Sequence, residues 1–525
     1  MVETAARMNA EQQEQPGVSS SVGGRASRAV LWNLLFVPSL AVLTVLSSAV
    51  VARSLSIDEY GLYGLAMATV TSLLLCSDLG ITSAVARFTP EIRKMGPEPA
   101  RRFLRAVVLV RVAALGLVVL GLVAARGFAP LKDALPFHGG SLLLVVSVAA
   151  FQSASRVEQY YLTGLLDRKA IGFIQFLVGL IQPALVILAV VIGYGVAGIL
   201  AGMALSSLLE LGLLSKHARR RADSVARAPE ASFEIPAGLR RDAFRFAGAS
   251  FMEKLFSYVN SPSFVVFLLA ALGSGRQDVA MFTIAGDFTL RIVSLLTIPF
   301  TGITLPVFSS LEAEGRREDS AVALRLHILI LVLLFIPTAG VLTALSSSLV
   351  PLLYSVRYSD AAPVLAALVP FLFLEYTVYS ALLAALMTRG RYAEVLVSKL
   401  PVLVGLPILI VAIPRFGAVG AAAVLGLTRL ASAGILLGAG LREFHFRFPL
   451  GFTSRVVGAT CCSALAAASF PKSEAPDWLS FVAASLAGGI VFAIVYRASG
   501  GMEALDRARL LEAAPRAARR LKYLL

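Results

Sequence analysis

Apolar runs of about 20 residues recur along the whole chain, and this pattern constrains the fold most, because about 20 residues of helix cross the hydrocarbon core of a bilayer. The first six runs are Ala29 to Ala52, Tyr60 to Ala86, Leu104 to Ala125, Ser141 to Leu165, Ala170 to Ile192 and Gly195 to Ser215. After a basic stretch, six more follow: Asp242 to Leu272, Val279 to Ser309, Val322 to Leu345, Ala361 to Met387, Tyr392 to Ile413 and Gly417 to Gly440. A last pair, Phe452 to Phe470 and Leu479 to Tyr496, brings the expected total to about fourteen. With 57% hydrophobic and 15% charged residues, the sequence describes an all-α polytopic membrane protein rather than a soluble enzyme with an anchor.

The remaining composition excludes several chemistries. Cys76, Cys461 and Cys462 lie in apolar segments without metal-ligand spacing, and the four histidines are scattered, so neither a disulfide framework nor a metal site is expected. There is no Walker A, Gly-x-Ser-x-Gly or His-Glu-x-x-His motif, so no catalytic residue and no cofactor is expected. The net charge of +15 does not imply nucleic acid, because the basic residues cluster in alternate short loops. Loops on one side hold roughly two dozen Lys and Arg against about seven on the other, which assigns both termini to the cytoplasm. Arg25 and Arg28 lead straight into a full-length span, so no cleavable signal is expected.

The expected organisation is a disordered tail (1–28), a six-helix bundle (29–215), a basic connecting loop (216–241), a second six-helix bundle (242–440), an additional helix pair (441–497) and a basic cytoplasmic tail (498–525). The bundles read as repeats of one another. Tyr194-Gly-Val-Ala-Gly198 returns as Phe416-Gly-Ala-Val-Gly420, Asp167-Arg168-Lys169 as Thr388-Arg389-Gly390, and the exit Ala86 to Glu91 as Pro306 to Glu312. Six spans per half give the repeats the same orientation, as in transporters whose two bundles face one another across a central cavity.

The stretch ARSLSIDEYGLYGL from Ala52, followed by DLGITSAVARFTPE ending at Glu91, resembles the first hairpin of the polysaccharide-export, Wzx-like flippases of the multidrug/oligosaccharidyl-lipid/polysaccharide exporter superfamily. The resemblance implies alternating access and an undecaprenyl-diphosphate-linked oligosaccharide as cargo. It further implies movement from the inner to the outer leaflet of a bacterial cytoplasmic membrane, in the service of O-antigen, capsule or exopolysaccharide synthesis. A polysaccharide polymerase and export machinery are the implied partners. The chain departs from many relatives at Asn260-Ser-Pro262, where a charged residue often stands.

Ionisable residues inside spans carry the remaining information, since each costs about 2.5–3.5 kcal/mol at mid-depth unless it faces the bundle interior. Lys254, Arg291, Arg429, Arg111 and Arg87 are the candidate ligands of a diphosphate-linked sugar, because guanidinium and ammonium groups replace the water that a diphosphate loses. Asp287, Glu253, Glu375 and Asp78 are the candidate acids, either pairing with those cations or binding a coupling proton or sodium ion. Asp287 and Arg291 stand four apart on one helix face. Three other readings stay open. A cation-coupled drug exporter of the same superfamily would share the architecture, a membrane glycosyltransferase would depend on Asp58 or Glu59, and a non-transporting scaffold would need none of the buried cations.

Overall fold

The computed structural model describes residues 40–125, 136–223, 237–297, 311–470 and 477–513, apart from positions 41, 95, 138, 166 and 313, together with positions 304 and 308. The expected polar tail, the start of the first span, most of the exit at 306–312 and the arginines near the C-terminus lie outside these residues. The first half comprises α1 (Val42–Ser54), α2 (Ile57–Cys76), α3 (Ile81–Lys94), α4 (Pro97–Ala125), α5 (Gly140–Gly164), α6 (Arg168–Val191) and α7 (Gly195–Asp223). The second comprises α8 (Ala237–Val259), α9 (Pro262–Ala271), α10 (Gly275–Thr297), α11 (Arg317–Ala344), α12 (Ser346–Tyr354), α13 (Ala361–Thr388), α14 (Tyr392–Val397) and α15 (Pro401–Phe444). Then follow α16 (Leu450–Ala468), α17 (Trp478–Ala498) and α18 (Ala504–Ala513).

Among the described residues, 11 helices are long and apolar enough to cross a membrane, and the bent pair α8–α9 makes up to 12. One of them, residues 392–444, would be about 80 Å long if straight, against a hydrocarbon core of about 30 Å. It breaks at Gly417, where φ is 54° and ψ −141°, and folds back on itself. A Cβ placed on Gly405 would lie 2.3 Å from Thr428 Oγ1 on the returning arm. The first half has the same corner. Gly195 between α6 and α7 has φ +53°, and a Cβ on Gly198 would lie 2.4 Å from Tyr194 Cβ, as one on Gly420 would lie 2.5 Å from Phe416 Cβ. The second match shifts in register. Asp167 corresponds to Arg391 rather than to Thr388, since their backbone N–H groups close the same six-residue turn onto Leu162 and Leu386 carbonyls, both at 3.0 Å.

Other boundaries differ from the sequence reading for local reasons. The second span is not continuous: it breaks after α2, where Leu79 and Gly80 take φ of 48° and 73°, and Asp78 Oδ1 accepts the Thr82 backbone N–H at 3.4 Å. The seventh span bends by 55° between α8 and α9, because Ser261 and Pro262 form an N-cap and first helical residue rather than a helix interior. The basic loop is shorter than 216–241, since α7 runs to Asp223 and α8 starts at Ala237. His217 Nε2 and Arg221 Nε on that extension reach Asp167 Oδ2 at 2.9 and 2.6 Å. Nor is the last segment wholly a tail, for α18 docks Asp506 onto Arg325 at 2.8 Å. Asp58 and Glu59 open α2, where Ser56 and Glu59 form a capping box.

Among the described residues two seams flank the contact of α2 with α8 and α9 between the halves. In the first, α2 packs on α10 and Gly61 and Gly64 allow the close approach, a Cβ there meeting Arg276 O at 2.5 Å and Thr283 Oγ1 at 2.3 Å. Beside it Arg53 Nε donates to Leu353 O at 2.9 Å, and Arg357 Nη2 donates to Arg53 O at 2.6 Å. In the second seam α3 packs on α8, and a Cβ on Gly80 would lie 1.9 Å from Ala247 O.

Candidate functional site

The break between α2 and α3 places Asp78 at the centre of a buried charge cluster. Arg111 Nη1 donates to its Oδ1 at 2.7 Å and Lys254 Nζ to its Oδ2 at 2.6 Å. Lys254 also donates to Thr82 Oγ1 at 2.9 Å, and Arg111 Nε donates to Ser153 Oγ at 2.6 Å. Lys254 belongs to α8 and Asp78 to the first half, so this ion pair crosses the second seam. Arg111 is 1% exposed; it holds the carboxylate, and its Nη2 is buried without a hydrogen-bond partner.

Arg291 and Asp287 on α10 form the second group, with Nη2 3.8 Å from Oδ2. Tyr60, Tyr63 and Tyr354 lie within electrostatic reach of this pair. Arg291 lines a cavity of about 110 Å³ with Thr44, Ser47, Ser48, Tyr63 and Gln182. Its Nη1 is buried and has no partner. An unsatisfied guanidinium nitrogen beside hydroxyl and amide groups is chemically able to donate to an anionic or hydroxyl oxygen.

In the second half Arg429 Nε donates to Glu375 Oε2 at 2.5 Å, and its Nη1 donates to Asn260 O at 3.1 Å, at the bend between α8 and α9. Its guanidinium lies 5.7 Å from the Tyr376 ring centre. Lys399 Nζ donates to Tyr379 OH, and Glu253 Oε1 accepts from Ser257 Oγ at 2.9 Å. Arg87 is exposed at the second seam, its guanidinium 4.8 Å from the Phe246 ring centre. Lys254, Arg291 and Arg429 therefore pair with three different acids, Asp78 (shared with Arg111), Asp287 and Glu375, rather than sharing one wall. The sequence reading missed the hydroxyl lining of the Arg291 cavity, and Thr82, four residues after Asp78, was the readable sign of the first cluster.

The family model described as polysaccharide biosynthesis protein matches residues 50–363, which is more than half of the chain. The chain belongs to that family. The matched region holds the whole Asp78 cluster and the Arg291 cavity except for its far edge at Thr44, Ser47 and Ser48. A search of curated proteins finds no match. Among solved structures, the chain is similar to the lipid II flippase MurJ in an inward closed conformation, with 14% identity, TM-score 0.66, and coverage of 90% of this chain and 98% of that one. It is also similar to an inward-facing multidrug resistance MATE transporter of the MOP superfamily, at 18% identity and TM-score 0.55, covering 79% of this chain and 98% of that one. A Vibrio cholerae MATE transporter gives 14% identity and TM-score 0.54 over 82% of this chain and 99% of that one. This chain thus has the fold of these proteins.

Proposed function

We propose that the chain is a flippase, not an enzyme, which carries polyprenyl-diphosphate-linked oligosaccharide repeat units from the inner to the outer leaflet of the cytoplasmic membrane. The cargo serves cell-surface polysaccharide synthesis, and movement proceeds by alternating access of the two bundles. Arg291 carries the reading: a half-buried cation with one buried, partnerless nitrogen opens onto a cavity that also holds Thr44, Ser47, Ser48 and Gln182 in a polysaccharide biosynthesis protein. Its contact with Asp287 is long, 3.8 Å, beside the 2.5 Å of Arg429 with Glu375. A diphosphate oxygen displaces the looser partner at lower cost, so Asp287 holds the guanidinium in place when no cargo is bound. The polyprenyl tail stays in lipid between the bundles.

Translocation of a fluorescent polyprenyl-diphosphate oligosaccharide in proteoliposomes tests this. Arg291→Ala should reduce the rate by about 100-fold, the loss of one charge-assisted contact of 2–3 kcal/mol, while the protein remains folded. Undiminished transport in the variant would remove the assignment. The likeness to MATE transporters supports ion coupling, with Asp287 as the titrating acid. Expulsion of an organic cation under a proton gradient, without movement of the lipid-linked sugar, would replace the flippase by an exporter.

A further inference from the structure

A cavity of about 820 Å³ lies between α4, α5 and α7, away from the charged groups described above. Arg101, Arg105, Arg219, Glu158 and Ser215 line its polar end, on the side that the arginine asymmetry assigns to the cytoplasm. Leu104, Val108, Leu109, Leu208 and Leu211 make the apolar remainder. Glu158 Oε1 accepts from Ser215 Oγ at 3.4 Å, whereas its Oε2 is buried and has no partner.

The second half shows what such a groove requires. Counting from the matched corners at Gly195 and Gly417, Ser215 and Arg219 of α7 correspond to Leu437 and Leu441 of α15. Those leucines pack against the apolar cluster that α16 completes with Phe452, Val456 and Ala459. There the chain covers its own groove. In the first half, among the described residues, no helix takes that place, and the positions it would cover are a hydroxyl and a guanidinium.

We infer that this groove binds an anionic glycerophospholipid of the cytoplasmic leaflet whose headgroup carries a hydroxyl, phosphatidylglycerol being the representative. The three arginines neutralise the phosphate, Glu158 accepts the headgroup hydroxyl, and an acyl chain covers the leucines as α16 does in the other half. Three arginines beside a carboxylate and a hydroxyl, above a wall of leucines, match a phosphate headgroup with its acyl chain. The inference does not depend on what the protein transports.

Native mass spectrometry of the full-length protein, with phosphatidylglycerol, phosphatidic acid and phosphatidylcholine of the same acyl chains, tests it. Phosphatidylglycerol should be retained about tenfold or more over phosphatidylcholine. Arg105→Gln with Arg219→Gln should abolish that preference, whereas Arg316→Gln with Arg317→Gln, on the surface of the other half, should leave it. Glu158→Ala should bring phosphatidylglycerol down to the level of phosphatidic acid. Equal retention of all three lipids, or equal loss in both double variants, would overturn the site. So would retention of a polyprenyl diphosphate in place of glycerophospholipid.

Discussion

Arg111 and Lys254 share one carboxylate and are expected to behave differently when removed. Arg111 is 1% exposed as a side chain and Lys254 25% exposed. Arg111→Ala leaves Asp78 half-paired and opens a buried cavity, so it should cost about 3 kcal/mol of stability. Lys254→Ala should cost about 1 kcal/mol or less, because water reaches that side and Arg111 still holds Asp78. Thermal unfolding in detergent separates the two, and equal losses would contradict the assignment of Arg111 as the structural partner. Asp167, in the turn before α6, gives a pH signature. Burial pushes its carboxyl up, but hydrogen bonds from His217 and Arg221 outweigh this and hold it below the ordinary carboxylate value. A lowered acid stabilises the fold in full above the unfolded value of about 4 and loses that contribution as pH falls through the folded value. The stability difference between the natural protein and Asp167→Asn should therefore shrink as pH falls from about 5 to below about 4; a difference that grows over that range would contradict this. At this scale the sequence identified the pair Asp287–Arg291 from its spacing of four. It did not show that Arg111 is bound to Asp78, because helix periodicity places a side chain on a face without saying what faces it.

The elements were legible where hydropathy alone decides and illegible where the backbone bends inside an apolar run. Asp78-Leu-Gly80 and Asn260-Ser-Pro262 both lie within stretches that average as continuous spans, yet each contains its own cause of breakage: a residue pair at positive φ in one, a capped proline in the other. The Gly195 and Gly417 corners were readable because both carry an aromatic residue before the glycine and a second glycine three residues later. Only glycine accepts φ 54° with ψ −141° at small cost, and a Cβ on Gly417 would also lie 2.7 Å from Asp278 Oδ2. Gly417→Ala should destabilise by about 1–3 kcal/mol. Gly434→Ala, whose Cβ would meet nothing within 4 Å, should be neutral or slightly stabilising. Thermal unfolding of both variants checks the pair, and a neutral Gly417→Ala would mean that the corner is not held as described.

Among the described residues both seams are packed, and the alternating access proposed above would require each to open in turn. They are held differently. The α2–α10 seam rests on glycine-mediated backbone approach and on two arginines, Arg53 donating to Leu353 O and Arg357 to Arg53 O. At the α3–α8 seam the charged bond is that of Lys254 with Asp78, at 2.6 Å and a quarter exposed. A pair of that exposure is worth about 1 kcal/mol, so removing it should raise the population open at that seam about fivefold. Spin labels can read this in a background with Cys76, Cys461 and Cys462 replaced by Ser, one pair on Arg101 and Arg241, the other on Asp58 and Val356. Lys254→Ala should lengthen and broaden the first distance distribution and leave the second unchanged. Arg357→Ala should do the reverse. If either substitution changes both distances together, the seams are coupled rigidly rather than held by separate bonds, and the Lys254 ion pair is not a latch.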